Sequence, residues 1–262
     1  MDSVLIERRD AVATVMINRP ERRNSLNGDV KTALRNALTE VAADQQIRAV
    51  VLAGAGGHFC AGQDLKEHAD ELSTGGAESA FSTVAEHYAP IVRSLATMPK
   101  PVIAAVEGSC VGAGLGFALA CDLRVFAKNA TLATAFSAIG LTCDSGLAHT
   151  LPRAVGDARA RHLVLLAEPF TPAEAVRWGI TGDMVDPHET LAAATGLAER
   201  LASGPTTAYA ETKRLITETW TRTLDATLSA ESRAQSRAGA STDHTTAVRA
   251  FLNKERPAFV GR

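Results

Sequence analysis

The sequence predicts an α/β protein in which strands dominate the first half and helices the second. Three observations carry that expectation. Residues 49–52 and 102–106 are short, continuous apolar runs, as a strand covered on both faces requires. Gly108, Gly112 and Gly114 follow the second run and open into another apolar stretch, which reads as strand, tight loop and buried helix. Many of the remaining apolar residues recur at three- and four-residue steps, the period of one buried helix face. With 262 residues, 46% of them hydrophobic, the chain has ample material for a core. Neither a repeat period nor a low-complexity linker divides it, so residues 1–200 are expected to form a core domain and residues 201–262 a helical C-terminal region.

Taken in order, residues 4–8 and 11–17 read as two strands about Arg9-Asp10, followed by the breaker Asn18-Arg19-Pro20 and a basic surface loop. Val30, Leu34, Leu38 and Val41 mark a helix over residues 29–43. The strand at 49–52 runs out into AGAGG and then HFCAGQDL (residues 58–65), a turn-rich segment beyond a strand's carboxyl end, where open sheets bind ligands. Residues 66–79 are polar, contain Gly75-Gly76 and several acids, and are expected to be the least ordered internal segment. Phe81, Val84, Tyr88, Ile91, Val92 and Leu95 mark the next helix, closed by Pro99-Lys100-Pro101.

The glycine-rich stretch that follows invites several readings. A dinucleotide fingerprint fails because its third glycine position is Phe117, and a membrane span fails because Glu107, Asp122 and Arg124 bound or interrupt the run. Two remain: a tightly packed core helix without chemistry, or a helix near whose N-terminus Ala113 presents a free backbone N–H and the positive end of the helix dipole to a developing oxyanion. Beyond it, residues 123–127 and 131–133 read as strands. The mostly apolar segment 135–144 ends in Asp144, and a half-buried carboxylate is expensive unless paired or used. Thr171-Pro172-Ala173-Glu174 is a capping box that opens a helix stopped by Gly179. Residues 183–186 read as a short strand, and 189–202, 206–219 and 224–237 as successive helices.

Charge and cysteine usage exclude several partners. A net charge of −2 gives no basic field for nucleic acid. MDSVLIERRD lacks the apolar core of a secretory signal, so a cytoplasmic protein is expected, with no membrane segment. Cys60, Cys110, Cys121 and Cys143 show no Cys-x-x-Cys spacing and are expected to be free thiols, with no metal implied. Cys143 borders Asp144, yet nothing in its sequence surroundings signals an activated thiolate. His58 and His149 lie near the motif loops but read as packed or solvated side chains, and Glu107 as either a group supporting the site or a turn residue.

Four motifs, NRPERRNSL (residues 18–26), FCAGQDL (59–65), KPVIAAVEGSCVGAGLGFALACDLRV (100–125) and AFLNKERPAFVGR (250–262), in this order and spacing, closely resemble the crotonase, or enoyl-CoA hydratase/isomerase, superfamily over essentially the whole chain. The resemblance implies a crotonase-like spiral of ββα units with a helical C-terminal trimerisation region, a homotrimer or hexamer, and acyl-CoA thioesters as substrates. No separate cofactor is implied, since coenzyme A is part of the substrate. Carried over position by position, the oxyanion amides fall on Gln63 and Ala113. The substrate contacts fall on Arg22, Arg23, Ser25, Ala61, Gln63, Asp64, Leu65, Lys66, Gly112, Ala113 and Phe136, with Lys254 reaching a phosphate across a subunit boundary. Asp64 also reads as tying its own loop by backbone hydrogen bonds.

Departures from the family pattern point to the reaction. Related hydratases place two glutamates over the bound enoyl group, and here those positions read Gly116 and Phe136. Neither side chain can hydrogen-bond a water. The segment AFSAIGLTCDSG (residues 135–146) instead resembles the branch containing the ring 1,2-epoxyphenylacetyl-CoA isomerase and the dienoyl-CoA isomerases, whose aspartate corresponds to Asp144. This branch usually has proline where Cys143 stands and Gly-Gly-Thr where Gly146-Leu147-Ala148 stands. A single carboxylate suffices to move a proton between two carbons of an enolate, so a double-bond or ring isomerase with Asp144 as base is expected. A weak hydratase and a non-catalytic CoA-thioester-binding oligomer are the alternatives, and for Asp144 the alternative is a helix N-cap near Ser145.

Overall fold

The structure, a computed structural model, describes residues 2–262. Its first elements are β1 (Val4–Arg9), β2 (Val12–Ile17), α1 (Gly28–Ala43) and β3 (Ala49–Gly54), followed by α2 (Leu65–Thr83) and α3 (Ala89–Thr97). Then come β4 (Val102–Val106), β5 (Ser109–Val111), α4 (Ala113–Ala120), β6 (Leu123–Ala127) and β7 (Thr131–Ala133). The remainder is α5 (Leu147–Val155), α6 (Asp157–Leu166), α7 (Pro172–Trp178), β8 (Asp183–Val185), α8 (Thr190–Ala202), α9 (Thr206–Thr219), α10 (Leu224–Gly239) and α11 (Thr242–Asn253).

Six strands form one sheet in the order β1-β2-β3-β4-β6-β8, while β5 pairs with β7 in a second, smaller sheet. The β1–β2 pair is antiparallel and every other pair is parallel. Strand alternation assigns the two faces of the large sheet to different partners. Val50, Leu52, Val102 and Ala104 turn toward Leu34, Leu38, Ile91 and Leu95 of α1 and α3, whereas Ala49, Val51, Ile103 and Ala105 turn toward Ala194, Ala198 and Ala202 of α8. Small alanines on α8 let that helix lie close against the strands. Burial on both faces explains why these strands read as unbroken apolar runs.

The chain climbs this frame in repeated units: one strand enters the large sheet, the next short stretch enters the small sheet, and a helix returns. Thus β4 leads to β5 and α4, and β6 leads to β7 and the helices after it. Residue Cys60 bridges Cys110 of β5, so the segment after β3 takes the same place in its own turn of the spiral. Strand β7 is the one expected over residues 131–133, whereas the three-residue β5 is too short for periodicity to show and is absent from the sequence expectation.

Residues 66–79, polar and with two glycines, are helical. They lie in α2, with an interruption at Gly76 (φ 70°, ψ −176°). Of the two glycines only Gly76 leaves helical geometry, and Asp64 caps the start of the helix by accepting from the Lys66 and Glu67 amides. A single π-helical turn, Val84–Tyr88, then joins α2 to α3. The capping box at Thr171 and Glu174 is formed as expected, with Gly179 as the left-handed stop.

Helices α9 to α11 follow the core, and α9 is tied to it by Lys213. Its side chain lies 2.7 Å from Asp122 Oδ2 and donates to the Leu95 carbonyl at 2.8 Å. No helix among the described residues is long and apolar enough to cross a membrane.

Candidate active site

The site is built where the loop after β3 meets the start of α4. Cys60 donates from its amide to the Ser109 carbonyl at 2.9 Å, and Val111 donates back to the Cys60 carbonyl at 2.9 Å. Gly62 completes the approach. Its left-handed φ of 86° favours glycine, and a Cβ placed there would fall 3.0 Å from the Val111 carbonyl oxygen and 3.8 Å from the Ala113 nitrogen. The neighbouring residue, Gln63, is therefore held beside Ala113. The bridge between Leu26 and Gln63 uses the Gly62 carbonyl and the Asp64 amide, which leaves the Gln63 amide itself outside that pairing. Ala113 is the first residue of α4, so its N–H has no helical acceptor a turn before it.

Both residues line a cavity of about 160 Å³. Its walls are mostly apolar: Leu65, Phe81, Val84, Val111, Phe136 and Leu141 contribute, and Asp144 supplies the one carboxyl among the described residues that line it. Burial pushes the Asp144 pKa above its ordinary range, against the hydrogen bond that Ser145 Oγ donates to its Oδ1 at 2.7 Å. Asp144 does not cap α5. The residue before that helix is Gly146, and no side chain caps it, so the N-cap alternative fails. The carboxyl is also reached from a second cleft, lined by Val92, Arg93, Cys143 and Ser145.

Of the residues expected to bind or act, Ala61, Gln63, Leu65, Gly112, Ala113, Phe136 and Asp144 line this one cavity. Arg22, Arg23, Ser25, Asp64, Lys66 and Lys254 do not. Asp64 is engaged elsewhere: Arg19 Nη1 donates to its Oδ2 at 2.5 Å, and that guanidinium and the α2 amides outweigh burial in holding its pKa down. Arg19 also donates to Ser25 Oγ at 2.9 Å. Arg22, Arg23 and Lys66 are exposed. Among the other candidates, His58 accepts from the Ser109 amide through Nδ1 at 3.1 Å, and Glu107 accepts from the His188 amide at 3.3 Å. Burial raises the Cys143 pKa and pushes Cys60 up to about 12, so neither thiol is set up as a nucleophile. No cluster of His, Cys, Asp or Glu among the described residues is placed to hold a metal ion.

Sequence reasoning missed the far wall of the cavity. His68 and Ala80 come from α2, and Tyr88 from the π-helical turn. Tyr88 was legible as a core position in an apolar period. Its hydroxyl, which donates to Gln63 Oε1, was not. Burial, and then the Asp144 charge, raise the Tyr88 pKa, so this phenol stays protonated as a donor. A larger groove of about 630 Å³, lined by His149, Arg153, Lys213 and Trp220, holds none of the predicted oxyanion residues, and its Asp122 is already paired with Lys213.

Comparison with known proteins identifies the family and the fold. The sequence profile of the family described as "Enoyl-CoA hydratase/isomerase" matches residues 7–262. The chain is similar to 1,2-epoxyphenylacetyl-CoA isomerase of Escherichia coli strain K12, 41% identical over 100% of both chains. It is also similar to the short-chain-enoyl-CoA hydratase of Clostridium acetobutylicum, 31% identical over 98% of this chain and 97% of that one. Among solved structures, a Mycobacterium abscessus protein named as an enoyl-CoA hydratase/isomerase superposes with a TM-score of 0.95 at 42% identity, covering 99% of this chain and 100% of that one. The fold is thus the crotonase fold that the four motifs implied.

Proposed function

Because this chain belongs to the enoyl-CoA hydratase/isomerase family, we propose that it isomerises an unsaturated acyl-CoA thioester through an enolate, with Asp144 as the base that moves the proton. The thioester carbonyl oxygen sits between the Gln63 and Ala113 amides. Asp144 removes a proton from the carbon next to the carbonyl, and the electron pair shifts onto the carbonyl oxygen. The two amides hold that charge by hydrogen bonds that strengthen as it develops, an effect for which each donor is commonly worth about 10²–10³ in rate. Protonated Asp144 then returns the proton to a carbon further along the chain, and the double bond moves. No water is consumed.

The observation that carries this reading is the lone carboxyl: Asp144 lines the cavity while Gly116 and Phe136 occupy the positions at which hydratases place glutamates. The direct test is conversion of a 3-enoyl-CoA to its conjugated isomer, followed by the absorbance of the conjugated thioester. Since the base works ionised and burial raises its pKa, kcat/KM should fall as pH drops through a limb lying above the ordinary aspartate value of about 3.9. Fast hydration of crotonyl-CoA with no double-bond migration would replace this reading by a hydratase. Tight acyl-CoA binding with neither activity would replace it by a binding protein.

The exposed basic side chains of Arg22, Arg23 and Lys66, beside the cavity in sequence, suit the phosphates of coenzyme A, as does Lys254 across a subunit boundary. A homotrimer or hexamer is part of the same proposal. Trp220, Leu224, Phe251 and Leu252 are 60%, 73%, 82% and 74% exposed, an apolar surface that assembly would cover. Sedimentation equilibrium should give three or six times the chain mass, and a monomer at micromolar concentration would refute it.

A further inference from the structure

Resting on that reading, we infer that the acyl group accepted here carries an oxygen substituent beyond the thioester, held by the side chains of Gln63 and His68. Gln63 has two separate assets. Its backbone amide belongs to the oxyanion pair, which leaves the identity of its side chain free to serve another purpose. The Tyr88 hydroxyl donates to Gln63 Oε1, so the amide group is fixed with its acceptor already used. What remains is Nε2, which is buried and has no hydrogen-bond partner among the described residues. His68 Nδ1 is buried and unpartnered in the same way. Both side chains line the cavity that holds Asp144.

Two unpaired nitrogens in a wall that is mostly apolar, with Leu65, Phe81, Phe136 and Leu141 in it, are costly for a site meant for a plain hydrocarbon. They suit a ligand with an acceptor for the Gln63 N–H and a lone pair or hydrogen for the imidazole nitrogen. A neutral hydroxyl or ether-type oxygen meets both demands. A carboxylate meets the first but would lie in the same small cavity as Asp144, where like charges repel. The π-helical turn contributes to the arrangement, because Val84 and Tyr88, its first and last residues, both reach this cavity.

The test is calorimetric titration of the full-length protein with phenylacetyl-CoA and its ortho-, meta- and para-hydroxylated analogues. At least one hydroxylated thioester should bind about tenfold or more tightly than phenylacetyl-CoA, since a site built to hydrogen-bond a substrate oxygen rejects the analogue lacking it. In Gln63→Leu, which keeps the backbone amide, that preference should shrink to about twofold or less. In Tyr88→Phe, which frees the Gln63 amide to rotate, it should fall to an intermediate ratio. Equal affinity of the wild-type protein for all four thioesters, or a preference that survives in Gln63→Leu, overturns the inference and leaves the acyl-CoA reading intact. Failure of all four to bind overturns the inference alone if a 3-enoyl-CoA is still isomerised, and both readings if it is not.

Discussion

Asp144→Asn is expected to lower kcat for double-bond migration by about 10²–10⁴-fold, the usual worth of a positioned general base, with little change in acyl-CoA affinity. The substitution is nearly isosteric and keeps an acceptor at Oδ1 for the Ser145 hydroxyl, which donates to it at 2.7 Å. What it removes is the ability to take up a proton. Burial holds the Asp144 pKa up, which brings the carboxyl nearer to the basicity that carbon deprotonation needs and makes the protonated form a usable acid for the return step. The proposed oxyanion donors are main-chain amides and remain in place. The measurement is kcat for isomerisation beside Kd for a non-isomerisable thioester. A variant keeping more than about a tenth of the wild-type rate would show that the proton is moved by another group.

The parts of this site that could be read from the sequence are those fixed by backbone geometry. Ala113 follows a glycine after a buried strand, and the structure starts α4 at that residue. Asp144 was conspicuous because it ends an apolar segment, and it does line the cavity. The far wall was hidden for a physical reason: Gly75 and Gly76 sit inside α2, and a segment with two strong helix breakers reads as a loop, so His68 was never placed on a surface facing the site. The C-terminal helix α11 lies in the region expected to be helical, but its bounds were not legible because its pattern is inverted. It buries Asp243 and Ala250 while Phe251 and Leu252 are exposed. The buried Asp243 carboxylate accepts from the Val260 and Gly261 amides, a tertiary contact to the chain end that no local period reveals.

Gly116→Glu, which restores a hydratase carboxylate at its family position, is expected to produce an unstable and inactive protein instead of a hydratase. Gly116 is buried in α4, and a Cβ placed there would fall 2.5 Å from the Ser145 carbonyl oxygen and 2.7 Å from Ser145 Cβ. No choice of rotamer relieves a clash that begins at Cβ. The methyl group of Gly116→Ala alone should therefore cost about 1–3 kcal/mol in urea denaturation, and the glutamate more, since it adds volume and a buried charge. Because Ser145 adjoins Asp144 and hydrogen-bonds its carboxyl, the same displacement should lower isomerase activity by about 10²-fold or more, as misplacement by an ångström can. Crotonyl-CoA hydration should stay at background. A Gly116→Glu protein as stable as the wild type that hydrates crotonyl-CoA would refute the argument. The contact also accounts for the departure in the sequence: the loop that brings Asp144 to the cavity lies against the helix where a glutamate would stand. The glycine is thus a condition of having the Asp144-Ser145 loop packed there, and a glutamate at this position is opposed by packing before any question of pKa arises.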